Sequence, residues 1–337
     1  MGWNRATSEM RAKQALKDLD HVEVVDLTRE VDLSNAAFSL TKAYRVNGVH
    51  TYIDIVNADS ILKSDVAEGE RSHRRFLRYL HILQRVIHHA VLATTDVFKV
   101  DLQNHRLHLI VYKPYGNEAM RVAVSVAVAD SIRRLLGRAD ELHNELADAR
   151  IRVGIESGSA LAVRNGTRGD RELLFLGDPA NHAAKLLSGS KDGIYLAKVA
   201  RDALGENYVV NDAASVVLTD GQVAACLAAS GLKLNIDSML KRWKDELAQT
   251  PLAEFDFSRP TPPLSKLDID VLSPHNSRRI DGCAVMADVD GFTKFVSARM
   301  NDNTKAGEAV RILHVIRKEL RDVLNDFGGR KIRYIGD

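Results

Sequence analysis

The stretch Cys283-Ala-Val-Met-Ala-Asp288-Val-Asp-Gly-Phe-Thr293, followed by residues 304–327 and then Arg330-Lys-Ile-Arg-Tyr-Ile-Gly-Asp337, decides how this chain is read. Cys283 to Ala287 is a short apolar run, which predicts a buried strand ending on Asp288. Val310, Leu313, Ile316, Leu320, Leu324 and Phe327 recur at helical spacing and predict an amphipathic helix over 304–327. Gly328-Gly329 stops that helix, and Arg330 to Ile335 predicts a second strand with Asp337 just past its end. If the two strands are antiparallel neighbours, both carboxylates meet at one spot. Hard divalent cations take oxygen ligands, commonly one or two carboxylates plus substrate phosphates. Asp288 and Asp337 are therefore candidate ligands for two Mg²⁺ or Mn²⁺ ions acting at a nucleoside triphosphate. Val289 would add a backbone carbonyl, and Phe292 and Thr293 begin a turn whose amides can face a phosphate. Taken singly, each aspartate is as readily a turn residue. The order strand, helix, strand with an acid at both strand ends favours the metal reading.

Working outward, the same order occurs earlier in the chain. Val49, Tyr52, Ile53, Ile55 and Val56 predict a strand around Asp54, and Phe76, Leu77, Leu80, Leu83, Val86 and Ile87 predict a helix. Arg106 to Tyr112 is a strand, Ala119 to Leu136 a second amphipathic helix, and Ile151 to Ile155 a short strand with a turn starting at Ser157. Leu173 to Leu176 and Gly193 to Leu196 are strands on either side of a helix from Asn181 to Leu187. Alternation of this kind indicates an α/β (α+β) fold, and Asp54 stands in the first copy where Asp288 stands in the second. The chain thus divides into a helical lead at 1–44, a first domain at 45–206, a linker at 207–276 and the start of a second domain at 277–337. Within the linker, Met239 to Leu247 is a plausible helix, and the prolines of 258–264 demand extended backbone. The second copy reads as incomplete, unable to build a core of its own, with a sheet edge exposed near Ile332 to Ile335.

The 337 residues suffice for two ordinary cores, and 45% apolar with 27% charged residues is the balance of a soluble globular protein. A net charge of +2 gives no broad basic field for nucleic acid, although a local phosphate site is compatible with it. Cys226 and Cys283 have no ligand-like spacing and indicate a reducing compartment. The N-terminus lacks the apolar stretch of a signal peptide, and the best apolar run, Ala123 to Ala129, is too short to cross a membrane. These features predict a cytoplasmic protein with neither membrane nor nucleic-acid partners.

The two aspartate motifs resemble the paired metal motifs of class III nucleotidyl cyclases. Arg152-Val-Gly-Ile-Glu-Ser-Gly158 is similar to that family's strand and turn after the second helix, and Gly177-Asp-Pro-Ala-Asn181-His-Ala-Ala-Lys185-Leu is similar to its transition-state motif. The resemblance covers about residues 45–200 and 278–337 and implies tandem ferredoxin-like cyclase domains, the second truncated. It implies that Asp288 and Asp337 bind the metals, that Asn181 positions the ribose, and that Lys185 replaces the usual arginine four residues later. Lysine keeps the positive charge there but loses the bidentate fork. In the first copy the second metal position aligns with His105, a poor Mg²⁺ ligand, so that copy is expected to have lost the metal pair and kept the transition-state helix. Purine cyclases carry a lysine and a polar residue where this chain has Arg333 and Leu174. Arg333 offers a fork of donors suited to pyrimidine carbonyls, while the neighbouring Tyr334 points to the opposite face of the strand. The resemblance is therefore to the bacterial pyrimidine cyclases of anti-phage defence, which make cyclic UMP or cyclic CMP for a separate effector. It implies UTP or CTP as substrate, pyrophosphate as the second product, and an intramolecular pseudo-dimer or a homodimer. The competing readings are an adenylate or guanylate cyclase, a polymerising palm-like enzyme, and an inactive nucleotide-binding regulatory module.

Overall fold

The computed structural model describes residues 3–29, 38–62, 70–92, 96–103, 105–141, 149–165, 172–208, 213–249, 283–329 and 331–332, with a few isolated positions besides. The chain forms two compact units. A central unit comprises Asn47–Ser159 and Pro179–Ala253; a terminal unit comprises Met1–Val46, Ala160–Asp178 and Glu254–Asp337.

The central unit is built on strands β2 (Lys42–Ile55), β3 (Val97–Gln103), β4 (Arg106–Val111), β5 (Ile151–Asn165), β7 (Gly193–Ala197) and β8 (Ser215–Val217). They lie in the order β3-β4-β2-β5-β7-β8. β4 is antiparallel to β2 and β3, β7 is parallel to β5, and β8 is antiparallel to β7. Alternation along β2 sends Val49, Ile53 and Ile55 into the apolar core, and therefore His50, Tyr52 and Asp54 to the opposite face. Helix α3 (Glu70–Leu92) answers with Tyr79, Ile82, Leu83, Val86, Ile87 and Ala90, all buried at helical spacing.

Helix α4 (Glu118–Leu136), expected to be amphipathic, is instead buried almost all round, from Arg121 through Ile132 and again at Leu135 and Leu136. It packs against α3, α6 (Lys198–Leu204), α7 (Asp220–Ser230), α8 (Ile236–Gln249), β4 and β7, which leaves no face for solvent between Arg121 and Ile132. The Ala123 to Ala129 run is thus the spine of a core. No described helix is long and apolar enough to cross a membrane. The stretch read as a linker holds β8, α7 and α8, and Val223, Cys226, Met239, Leu240 and Trp243 enter the same core. The proline-rich segment falls outside the described residues.

The terminal unit contains α1 (Arg5–Asp18), β1 (Glu23–Asp26), the beginning of β2, the end of β5, β6 (Glu172–Leu176), α9 (Phe292–Ser297) and α10 (Asn303–Asp326). β1 runs parallel to β2, and β6 is antiparallel to β5. Phe292, Val296, Met300, Ala306, Ala309, Val310 and Leu313 share one core with Leu19, Val22, Ala43, Leu161, Val163 and Leu176. Residues 292–313 therefore find their apolar partners far away in sequence. Gly307 is required by this packing, since a Cβ there would stand 2.5 Å from the Val22 carbonyl oxygen. Arg11 fastens α1 to α10 through Glu319 at 2.8 Å and Asp326 at 2.9 Å.

The strand expected at Cys283 to Ala287 is not formed. Residues 283–289 have no ladder partner among the described residues, and Val285 and Met286 are 80% and 85% exposed. A strand exists only where a neighbour satisfies its backbone groups. Its expected neighbour, Arg330 to Ile335, is described only at Lys331 and Ile332, and Ile332 is 74% exposed.

Candidate functional site

Helix α5 (Asp178–Lys185) carries Asn181 and Lys185. Eight residues are too few to hold a helix in place by themselves, so its position comes from what it rests on. Pro179, Ala180 and Ala183 are buried, whereas Asn181 is half-buried and Lys185 exposed. The two candidate residues, one helical turn apart, thus share the outer side of the helix.

The support for α5 is one face of β5. Alternate residues of the Arg152 to Gly158 motif each meet a different part of the helix and its exit. Gly158 lies under Pro179, where a Cβ would come within 2.7 Å of the ring, at a φ of +152°. The buried Glu156 has one carboxylate oxygen 4.0 Å from the His182 imidazole; the other accepts from the backbone N–H groups of Ser157 and Ala200, both at 2.8 Å. Gly154 lies under Ala183, where a Cβ would be 2.1 Å from the carbonyl oxygen. Arg152 reaches past the end of the helix to the Leu186 carbonyl at 2.5 Å. Burial pushes the Glu156 carboxyl above its ordinary range, against backbone hydrogen bonds that draw it down. Ser157, expected to begin a turn, is instead in the middle of β5, which continues to Asn165. The motif is the footprint of the helix that lies across it. Its roles at Arg152 and Glu156 escaped the sequence reading, although the alternation R-x-G-x-E-x-G was the available signal.

Asp54 and His105 meet in the central unit. His105 Nε2 lies 3.1 Å from one carboxylate oxygen of Asp54, and Arg106 lies 2.8 Å from the other. The backbone N–H of Ile55 adds a bond at 3.0 Å. Burial alone would raise the Asp54 pKa; the His105 and Arg106 hydrogen bonds outweigh it and hold the carboxyl below its ordinary range. Both oxygens are already turned to basic side chains, so this aspartate does not fit a divalent cation. Leu174 on β6 is half-buried and packs against the core of the terminal unit, with no polar atom to offer a base.

Around Asp288 the chain makes a tight turn. Gly291 adopts a left-handed conformation at φ +73° and leads into α9. The Val289 carbonyl accepts from the Phe292 N–H at 3.2 Å. Phe292 is 8% exposed and buries its ring in the core of the terminal unit, which fixes where the turn stands; Thr293 is half-buried. Asp288 is exposed. One carboxylate and one carbonyl oxygen are hard donors of the kind Mg²⁺ or Mn²⁺ accepts. Asp337 and Arg333 lie outside the described residues. Among the described residues no group of three or more His, Cys, Asp or Glu side chains is placed to hold a metal.

The two halves that the sequence reads as copies also match in their helices. A short helix, α2 (Ala58–Leu62), starts four residues after Asp54, and α9 starts four residues after Asp288. A long helix follows each, α3 with 23 residues and α10 with 24.

No protein-family model matches the chain. It is 40% identical over 341 residues to a uridylate cyclase from Pseudomonas aeruginosa, covering 99% of this chain and 65% of that protein. It is 37% identical over 315 residues to a uridylate cyclase from a Rhizobium strain, covering 88% of this chain and 59% of that protein. The chain therefore spans about two thirds or less of the curated relatives it matches. Among solved structures it matches a class III adenylyl cyclase-like ATP-binding protein from Pseudomonas aeruginosa. That match has 37% identity and a TM-score of 0.88, over 100% of this chain and 72% of the other.

Proposed function

The chain belongs to the class III nucleotidyl cyclase family, and from that premise we propose that it converts UTP or CTP to the 3′,5′-cyclic monophosphate with release of pyrophosphate. The observation that carries this reading is the seat of α5 on β5, which directs Asn181 and Lys185 outward on one side of a fixed helix. Asn181 orients the ribose so that its 3′-hydroxyl faces the α-phosphorus, and Lys185 stabilises the negative charge that grows on the phosphorane oxygens. Asp288 and Asp337, with the Val289 carbonyl, would hold the two divalent ions, Mn²⁺ or Mg²⁺. When bound, those ions supply activation of the hydroxyl and neutralisation of the leaving pyrophosphate. The turn at Phe292 and Thr293 faces the triphosphate, and Arg333 reads the base.

Pyrimidine use is supported by Leu174, which gives a purine amino group nothing to bond, and by two relatives that are uridylate cyclases. In this reading the halves are tandem cyclase domains that pair as an intramolecular pseudo-dimer or in a homodimer. The Asp54 half has exchanged metal binding for an internal charge cluster. The product is a cytoplasmic second messenger in anti-phage defence, read by a separate cyclic-nucleotide-responsive effector.

Incubating the full-length protein with each of the four ribonucleoside triphosphates and Mn²⁺, followed by mass spectrometry, tests the reaction. Cyclic UMP or cyclic CMP should dominate, and cyclic AMP or cyclic GMP as main product would refute the pyrimidine assignment. Asp288→Ala with Asp337→Ala should abolish turnover; survival of activity would refute the metal assignment. A regulatory reading has one observation in its favour, the ATP-binding description of the 37% identical relative. It requires triphosphate binding without any cyclic product.

A further inference from the structure

Arg152 makes more contacts than a strand arginine needs for solubility. Its Nε donates to the Leu186 carbonyl at 2.5 Å and a terminal nitrogen donates to the Lys191 carbonyl at 2.7 Å. The guanidinium plane lies 3.7 Å from the centre of the Tyr195 ring. Gly189 passes so close, at a φ of +130°, that a Cβ there would stand 3.2 Å from the same guanidinium. One side chain therefore organises the whole exit of α5, from the residue after Lys185 to the start of β7. Helix ends leave carbonyls without partners, and here Ser188 takes the Lys185 carbonyl while Arg152 takes the next one. A cation at this end also suits the helix dipole.

We propose that Arg152 is a positioning residue for the cyclisation, acting through Lys185. This rests on the reading of Asn181 and Lys185 as the groups that serve the transition state. The Lys185 ammonium must stand where charge develops, and its backbone is held from three sides. Gly154 sets the depth of α5, Glu156 faces its His182 side, and Arg152 stops the last turn from unwinding or sliding along β5. Lysine cannot replace this arginine, because it lacks the planar fork that reaches two carbonyls while stacking on a ring.

The test uses steady-state kinetics of the full-length protein with UTP and CTP in Mn²⁺, normalised to the folded fraction. Arg152→Ala should lower kcat by about 10- to 100-fold with KM within about twofold, since misplacement by roughly 1 Å has that scale of effect. Arg152→Lys should be intermediate, and Tyr195→Leu, which leaves both carbonyl bonds, should cost less than Arg152→Ala. In a Lys185→Ala background, Arg152→Ala should cause no further loss. Wild-type kcat in Arg152→Ala would overturn the proposal. So would an undiminished extra loss in the double variant, which would mean that Arg152 acts independently of Lys185. If Arg152→Ala does not fold, Arg152→Lys and Tyr195→Leu decide: wild-type kcat in both refutes the role. Asn181→Ala and Lys185→Ala separate the two levels. Full activity in these sinks the underlying reading, whereas their inactivity beside an active Arg152→Ala sinks the positioning role alone.

Discussion

Gly154→Ala adds a single methyl group at the point where α5 touches β5. That methyl would stand 2.1 Å from the Ala183 carbonyl oxygen and 2.8 Å from the Leu186 Cβ, where ordinary contacts lie at 3.4–4 Å. Neither neighbour is a flexible side-chain tip: one is helix backbone, the other a Cβ fixed to it. The helix must therefore lift by roughly 1 Å, or β5 must bend. Overpacking of this kind costs about 1–3 kcal/mol. In a unit of this size that lowers the melting temperature by about 2–12 °C, well short of unfolding it at 25 °C. The same displacement moves Asn181 and Lys185 relative to the reacting phosphorus, and a loss of about 100-fold in kcat follows for an error of that size. Thermal unfolding by circular dichroism and turnover at 25 °C in the full-length protein separate the effects. A variant with unchanged melting temperature and unchanged kcat would refute the close seating of α5. A lower melting temperature with unchanged kcat would show that α5 does not carry the transition-state groups.

Three further outcomes follow from the geometry. Burial depresses the His50 pKa from 6.5 to about 3, so the folded protein keeps this imidazole neutral while the unfolded chain protonates it. Stability should therefore fall by up to roughly 1.4 kcal/mol per pH unit as pH drops below 6.5 towards 3; His50→Gln should flatten that slope in urea titrations, and an unaltered slope counts against it. The Asp54 carboxyl is held below its ordinary value of 3.8, so its contribution is present above that pH and disappears as pH falls through the folded value. Asp54→Asn should cost about 1–2 kcal/mol at pH 7, the figure being reduced for the half-exposed Arg106, and markedly less at pH 3; an equal cost at both pH values argues against the charge cluster. Trp243→Ala should destabilise the central unit by about 3–5 kcal/mol, because its ring is only 1% exposed. A loss below about 1 kcal/mol would mean that α8 is not part of that core.

The charge cluster around Asp54 has a simple physical basis. A buried carboxylate needs compensation by a cation or by hydrogen-bond donors. In the central unit His105 and Arg106 supply it, and Asp54 is kept ionised without an ion. At Asp288 the side chain is exposed and has no such basic partner among the described residues. Each aspartate precedes a short helix and a long one, and their surroundings differ.

The sequence by itself determined the mixed α/β class, the family and most of the regular elements. Apolar periodicity is written locally, so α10, β4, β6 and β7 could be read close to their bounds, while α3 and α5 were placed with ends two to six residues off. It also singled out Asp54 and His105, which the structure places 3.1 Å apart. Only the tertiary structure decided what residues distant in sequence do together. It showed α4 buried all round from Arg121 to Ile132, since burial depends on how many neighbours arrive and not on the helix's own pattern. It drew residues 215–249 into the central core and gave 292–313 a core made with Leu19, Val22 and Leu161. The apolar run 283–287 met no partner among the described residues and formed no strand, because a strand's hydrogen bonds belong to its neighbour as much as to itself. In one dimension Ile151 to Ile155 looked like a short strand and Ser157-Gly158 like the turn that ends it. In three they are the seat of α5, because the reason for each residue lies on a helix about thirty residues further along the chain.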